Sequence, residues 1–203
     1  MRRSTTSWPQ VDGVVMTHRV PVVETERLVL RGWRDADRAP FASLNGDIEV
    51  MRHFPAPLTP AQSDEMVDRM MAAWHRTGFG LWAVERHDTR AFIGFVGLSS
   101  PTWSAVPLVE VGWRLAHEHW GHGFAPEAAQ AAVRFAFDRV QLPADEVVSF
   151  TTEANANSRR VMEKVGLTHR PERDFDHPLL PDWHGCRHVL YAISRDEYTL
   201  LTG

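Results

Sequence analysis

The densest chemistry in the chain lies between Glu110 and Glu127, where the sequence reads Glu-Val-Gly-Trp-Arg-Leu-Ala-His-Glu-His-Trp-Gly-His-Gly-Phe-Ala-Pro-Glu. A strand runs into a turn bearing Gly121 and Gly123, and the turn runs directly into a helix. Glycine reaches backbone conformations and close approaches closed to other residues. The first turn of a helix leaves N–H groups unpaired, and the helix dipole adds partial positive charge there. Together these features make an anion site suited to phosphate, although a Gly-x-Gly can also be no more than a tight strand–helix connection. The motif is not a Walker loop, because no Gly-Lys-Ser/Thr follows, and not a Rossmann fingerprint, because Gly123 is not followed by x-x-Gly.

Eleven histidines raise the question of a metal. His117-x-His119-x-x-His122 overlaps the glycine turn and lacks the i, i+4 spacing of a helical zinc pair. His184-x-Cys186-x-His188 would face one way on a strand, but a fourth ligand is not obvious. No metal is expected.

These residues need a scaffold of alternating strands and helices. Leu28-Val29-Leu30 reads as a short strand, and Asp35 as the cap of a helix running to about Leu44. Thr59-Pro60-Ala61-Gln62 combines an N-cap, a proline at the first helical position and a capping-box glutamine. The helix it starts ends at Gly78, and Met66, Met70 and Trp74 give it one apolar, core-facing stripe. Leu81–Glu85 and Ala91–Leu98 form a hairpin, with Gly94 and Gly97 marking a bulge or a close backbone approach. Leu108–Leu115 is a third long strand, Pro126–Val140 a helix, and Val147–Thr151 a strand. Asn155 or Asn157 caps a helix ending at Gly166, and Leu167–Arg170 and His188–Ile193 are late strands. The pattern predicts a mixed sheet with helices on its faces.

The whole-chain arithmetic agrees. The 203 residues are 43% hydrophobic and 24% charged, enough for one core and the composition of an ordinary globular chain. We expect residues 1–21 to be a loose N-terminal extension and 22–203 a single domain. The net charge of -4 argues against bulk nucleic-acid binding. One cysteine, Cys186, forms no intrachain disulfide, which points to a cytoplasmic protein. Arg2 and Arg3 are not followed by an apolar signal-peptide segment, and no apolar run approaches the ~18 residues of a membrane span.

Four segments carry a family resemblance. Trp120-Gly-His-Gly-Phe-Ala125 resembles the pyrophosphate loop (Arg/Gln-x-x-Gly-x-Gly/Ala) of the GNAT superfamily of N-acetyltransferases, with Trp120 in place of Arg/Gln as in its RimJ/RimL-type branch. Thr25-Glu-Arg-Leu-Val-Leu-Arg31 resembles that branch's opening strand, Glu110-Val-Gly-Trp113 its fourth strand, and Asn155-Ala-Asn-Ser-Arg-Arg-Val-Met-Glu-Lys-Val-Gly166 its Asn-x-x-Ser helix. The likeness covers about residues 22–198, in order.

The resemblance implies an α/β (α+β) fold: a mixed, mostly antiparallel sheet of about seven strands, helices on both faces, and a splay between strands four and five. It implies acetyl-CoA as acyl donor and a primary amine as acceptor. The pantetheine arm would pair with strand four at Arg114, Leu115 and Ala116. The pyrophosphate would sit on the loop at Gly121, His122, Gly123, Phe124, Ala125, Pro126 and Glu127, with Asn155 contacting the cofactor as well as capping its helix.

Acyl transfer to an amine requires deprotonation of the amine, stabilisation of the developing oxyanion and protonation of the departing thiolate. The position matching the tyrosine acid of many family members holds Met162, and the only tyrosines are Tyr191 and Tyr198. Ser158 matches the serine assigned to the thiolate in RimL-like members. The matching offset for the base falls on His177; Glu110, alternating with Val109 and Val111, is the other candidate. A non-catalytic module that binds acyl-CoA and regulates a partner is the alternative that the missing tyrosine raises. Phe175, Leu179, Leu180 and Trp183 make the loop at 174–187 unusually apolar; the acceptor, a second subunit of a homodimer or the protein's own core would cover it.

Overall fold

Strand-forming residues line up as one nine-stranded sheet in a computed structural model that describes residues 20–203. The strands are β1 (Val23–Glu24), β2 (Leu28–Arg31), β3 (Leu81–Arg86), β4 (Phe92–Ser99), β5 (Glu110–Leu115), β6 (Glu146–Thr152), β7 (Thr168–His169), β8 (Phe175–Asp176) and β9 (Arg187–Ser194). Their spatial order is β1-β2-β3-β4-β5-β6-β9-β7, with β8 also pairing β9. Neighbours are antiparallel except β5 and β6, which run parallel. The count exceeds the expected seven because β1 and β8 are two-residue pairings too short to show a period. The N-terminal extension expected over 1–21 lies outside the described residues except for Val20, which packs on the core, and Pro21, whose carbonyl accepts from the Trp82 indole.

Helices cover both faces. Alternation along β3 sends Trp82 and Val84 to one face and Ala83 to the other. On the first face α4 (Phe124–Arg139) and α5 (Ala156–Val165) pack through Ala128, Ala132, Ala136, Met162 and Val165. On the second, α1 (Arg38–Gly46), α2 (Ile48–Met51) and α3 (Pro60–Thr77) pack Phe41, Leu44, Met51, Val67 and Met70 against Ala83 and Phe95. The Thr59 capping box forms as expected, and Gly78 ends α3 in the left-handed conformation. Asp35 does not cap a helix: it opens a short 3₁₀ turn before α1, and the buried Asp37 instead accepts from the Arg34 N–H. A C-terminal helix, α6 (Arg195–Thr202), was not anticipated, although Ser194 and Glu197 form its capping box. Among the described residues no helix is long and apolar enough to cross a membrane.

Two features shape the sheet around β5. At Gly94 the register against β3 shifts, φ is +136°, and an added Cβ would meet the Arg114 carbonyl at 2.1 Å, so only glycine lets β4 approach β5 there. Between β5 and β6 a single residue pair, Glu110 and Val148, is in register. The parallel pairing is therefore confined to one end, and the strands part toward Leu115 and Thr152. This is the splay expected between the family's fourth and fifth strands; β1 adds one to the count.

Candidate active site

A cavity of about 670 Å³ fills the wedge between β5 and β6, within the usual range for a small-molecule site. Its walls come from the α2–α3 connection (His53, Phe54), β5, the glycine turn, α5 and the β8–β9 loop.

At the glycine turn, Gly121 and Gly123 have φ of +80° and +79°. Both are left-handed, which explains glycine at each. The N–H groups of Gly121, His122, Gly123, Phe124 and Ala125 have no partner among the described residues. Pro126 has no N–H to offer, and the Glu127 N–H already bonds the Gly123 carbonyl. Five consecutive donors at the positive end of a sixteen-residue helix form a row suited to an anion. Glu127 is not part of it. Its carboxylate accepts from Thr25 Oγ1 at 2.6 Å, the Arg27 N–H at 2.8 Å and Arg27 Nε at 2.7 Å. Burial raises the Glu127 pKa, but these bonds outweigh it and hold the carboxyl below its usual value. Arg27 in turn donates to the His122 carbonyl at 2.8 Å and lies over the Phe124 ring, so it braces the loop from β2. The sequence reading missed Arg27 in this role; its only signal was its place in the opening-strand segment.

The strand register corrects two further assignments. The Ala116 N–H bonds Ile93 of the β4 side, and the Val109 carbonyl accepts from Val148 of β6. By alternation the backbone groups of Arg114 and Ala116 face β4, and those of Trp113 and Leu115 face the splay. Ala116 is doubly engaged, because its carbonyl also accepts from His119. Of the three positions expected to pair with a pantetheine arm, only Leu115 presents its backbone to the gap, and its carbonyl accepts from the Trp120 indole at 2.8 Å. Trp113 is the residue that the sequence reading passed over.

Alternation also places Glu110, Gly112 and Arg114 on one sheet face, toward α1–α3. Glu110 has a single partner, Ser99, whose hydroxyl donates at 2.8 Å. No cation pairs with it among the described residues, and burial pushes its pKa up to about 7. Arg114 is its counterpart. Nη1 donates to Asn45 Oδ1 at 2.6 Å, Nε is buried with no partner, and the guanidinium sits 4.2 Å from the Phe54 ring and 5.5 Å from Phe95. Burial lowers its pKa to about 10. The sequence reading gave Arg114 only a backbone role.

The remaining expected residues also line the cavity. Asn155 caps α5 by accepting from the Ser158 N–H and donates to Thr151 Oγ1 at 3.0 Å. The Ser158 hydroxyl itself makes no hydrogen bond among the described residues, and Ser158 lines the cavity. His177 lies in an aromatic cluster with Trp103, Phe175 and His188, and its Nδ1 accepts from the Leu179 N–H at 3.3 Å. Burial and the neighbouring His188 lower its pKa. Neither tyrosine reaches the cavity: Tyr191 bonds Arg159 and Glu163, and Tyr198 stacks on Phe137. Met162 is core. In the apolar loop, Phe175 packs in the cluster, Leu180 and Trp183 line the cavity, and Leu179 is left exposed. His184 and Cys186 precede β9 and so do not share a strand face with His188. No three His, Cys, Asp or Glu side chains among the described residues are grouped to hold a metal.

Splay, glycine turn and capped Asn-x-x-Ser helix together define a class of acyl-transfer fold, and comparison with known proteins names it. The model of the acetyltransferase (GNAT) domain matches residues 27–168. The chain belongs to the GNAT acetyltransferase family and is an acetyltransferase. It is 34% identical to the uncharacterized N-acetyltransferase YoaA of Bacillus subtilis over 152 residues, 72% of this chain and 82% of that protein. It is 31% identical to the FsC-acetyl coenzyme A-N(2)-transacetylase of Aspergillus fumigatus over 187 residues, 88% of this chain and 78% of that one. An acetyltransferase from Agrobacterium tumefaciens superposes with a TM-score of 0.72 at 24% identity, covering 96% of this chain and all of that one. Spermidine N-acetyltransferase from Vibrio cholerae, solved with CoA and spermine, superposes with a TM-score of 0.67 at 19% identity, covering 86% and 99%. At these identities the structures establish the shared fold.

Proposed function

We propose that the protein moves the acetyl group of acetyl-CoA to a primary amine by direct attack, with Glu110 as the base. The observation that carries this reading is that Gly121, Gly123, Phe124 and Ala125, whose N–H groups have no partner among the described residues, line one cavity with Glu110. The N–H row suits a pyrophosphate. The free edge of β5 at Trp113 suits an amide-bearing arm. Bound acetyl-CoA supplies a thioester carbonyl. The amine nitrogen bonds to that carbon, the C–S bond breaks, one amine proton passes to Glu110, and the sulfur leaves as a thiolate that takes its proton from solvent. We assign the Ser158 hydroxyl as a hydrogen-bond donor to that thiolate, a role its place on the cavity lining supports and one that removes the need for a tyrosine.

Glu110 replaces His177 as the preferred base. A carboxyl with pKa near 7 is a competent base at neutral pH, whereas His177 has its Nδ1 engaged and its ring packed. Trp120 at the head of the loop supports the RimJ/RimL-type branch, and the lone cysteine supports a cytoplasmic location. The test is calorimetric titration of acetyl-CoA together with an acetylation screen over an amine panel, reading released CoA thiol. Binding with turnover of at least one primary amine is expected; binding without turnover of any amine would sink the reading.

A further inference from the structure

The charges lining the cavity are lopsided. Among the described residues Glu110 is its only carboxylate, whereas Arg52, Arg114, Arg160 and Lys164 are all cationic. Arg160 and Lys164 belong to α5, Arg114 to β5, and Arg52 to the α2–α3 connection, where it pairs with Glu49 at 3.6 Å and lies over the Trp120 ring. Arg114 pairs with no carboxylate among the described residues. What holds it is neutral. Asn45 is fully buried between α1 and α3, donates to Ser63 Oγ at 2.9 Å, and turns its oxygen to Arg114 Nη1. Phe54 and Phe95 supply ring faces. A guanidinium withdrawn from water without an anion is costly, and one amide and two rings offset only part of that cost. The arrangement is a fixed cation whose counter-charge the protein does not provide.

Spacing matches this. Glu110 and Arg114 are four residues apart on one face of β5, about 13 Å between Cα atoms at ~3.3 Å per residue. Gly112 lies midway, and an added Cβ there would meet only Glu110 Oε1, at 3.7 Å. The floor between the two charges is therefore bare. Among the described residues, a polyamine or an aminoglycoside would find four cationic side chains and a single carboxylate on the cavity lining. A zwitterion finds both its partners.

We propose that the acceptor is a carboxylate-bearing amine of amino-acid size, with its carboxylate on Arg114 and its amine toward Glu110. This rests on the acetyltransfer reading above and narrows its substrate class. Bidentate pairing of guanidinium with carboxylate supplies the geometry, and Asn45 acts as the positioning residue.

The test compares each common amino acid with its own carboxamide, with spermidine and an aminoglycoside as polycationic controls, by kcat/KM for CoA release. The amide's amine is the less basic, so more of it is neutral at pH 7; a preference for the acid cannot come from amine availability. At least one free acid should exceed its amide by about 10–10²-fold, the range for a lost charged hydrogen bond. Arg114→Gln should erase that difference while acetyl-CoA affinity is unchanged, and Arg114→Lys should restore part of it. The wild-type acid–amide comparison stands whether or not Arg114→Gln folds. Amides equal to or better than acids, polyamines best of all, or a folded Arg114→Gln that still prefers the acid would each overturn the inference alone. Failure to acetylate any amine would overturn the acetyltransfer reading and this inference with it.

Discussion

Arg31 and Arg114 both bring a guanidinium inside the molecule, one from β2 and the other from β5, three strands across the sheet. Around Arg31 the protein supplies every partner. Nη1 and Nη2 bond the two oxygens of Asp37 at 2.7 and 2.9 Å, and Nε bonds Glu85 at 2.8 Å. Arg34 and Arg90 add ion pairs to Glu85 at 3.0 Å each. Burial alone would raise the Glu85 pKa, yet these arginines hold it below its usual value. Around Arg114 and Glu110 the same sheet supplies one amide and one hydroxyl. The first cluster ties β2, β3 and the turn before α1 together. The second leaves two opposite charges uncompensated on a cavity wall. Paired charge marks what the fold has to hold, and unpaired charge marks where a ligand completes it.

The sharpest way to break that contrast is Glu110→Gln. If the unpaired carboxyl is the base, kcat/KM falls by about 10²–10⁴-fold with acetyl-CoA affinity retained. In the parent enzyme the rate rises with pH through an apparent value near 7, where Glu110 loses its proton. Two acceptors of different basicity separate this limb from the amine's own ionisation. Stability moves the other way. The folded carboxyl is raised from 4.5 to about 7, so the folded state binds the proton more tightly and loses stability as pH rises across that window. Glu110→Gln should remove that loss, a gain of at most about 3 kcal/mol above pH 7. An inactive variant that is also less stable would mean that Glu110 is structural.

Arg31→Met tests the other half. It leaves Asp37 and Glu85 buried without their shared cation, and should cost about 3–5 kcal/mol of unfolding free energy by denaturant titration. The Glu85 contribution is present above pH ~4.5 and is lost as pH falls through its depressed folded pKa, so the gap between variant and parent should narrow in acid. An Arg31→Met protein as stable as the parent would dissolve the distinction between the two clusters.

What was legible in the sequence divides along the same line. The glycine turn, the Thr59 box and the Asn155 cap were readable because each is a local arrangement over three or four residues, and local geometry is what spacing encodes. The splay came from family likeness alone. Charge pairing was unreadable: Arg31 meets Glu85 across 54 positions, and Arg114 meets Asn45 across 69. Nothing local separates an arginine that finds two carboxylates from one that finds none. Backbone direction was also hidden, since shifting β5 by one residue exchanges Arg114 for Trp113 at the splay. The missed α6 is different, because Ser194-x-x-Glu197 was a local signal available to be read.

Gly123→Val should have a smaller effect than either charge change. Its φ of +79° strains any branched residue, while an added Cβ would touch only the Arg27 guanidinium at 3.4 Å, so the damage falls on the loop and not on the core. Calorimetry should show acetyl-CoA affinity falling about tenfold or more as the N–H row is disordered, with a cooperative melt retained. Unchanged affinity would remove the N–H row from the comparison and leave the cavity charges without a cofactor beside them.

The smallest effect expected is at His177, and it discriminates because the two base candidates belong to different elements of the cavity wall, β5 and the β8–β9 loop. His177 is held by Trp103, Phe175 and His188, its Nδ1 is occupied by the Leu179 N–H, and burial already disfavours its protonated form. A ring so engaged shapes the cavity without exchanging protons. His177→Ala should therefore lower kcat/KM by less than about tenfold, below the 10²–10⁴-fold range of a positioned general base. The change should appear mainly in KM for the acceptor, and the limb near pH 7 should stay where Glu110 puts it. A loss of 10²-fold or more, with that limb abolished, would transfer the base role to the β8–β9 loop. Glu110 would then become a buried carboxyl that shapes the acceptor floor, and the charge left unpaired on β5 would be Arg114 alone.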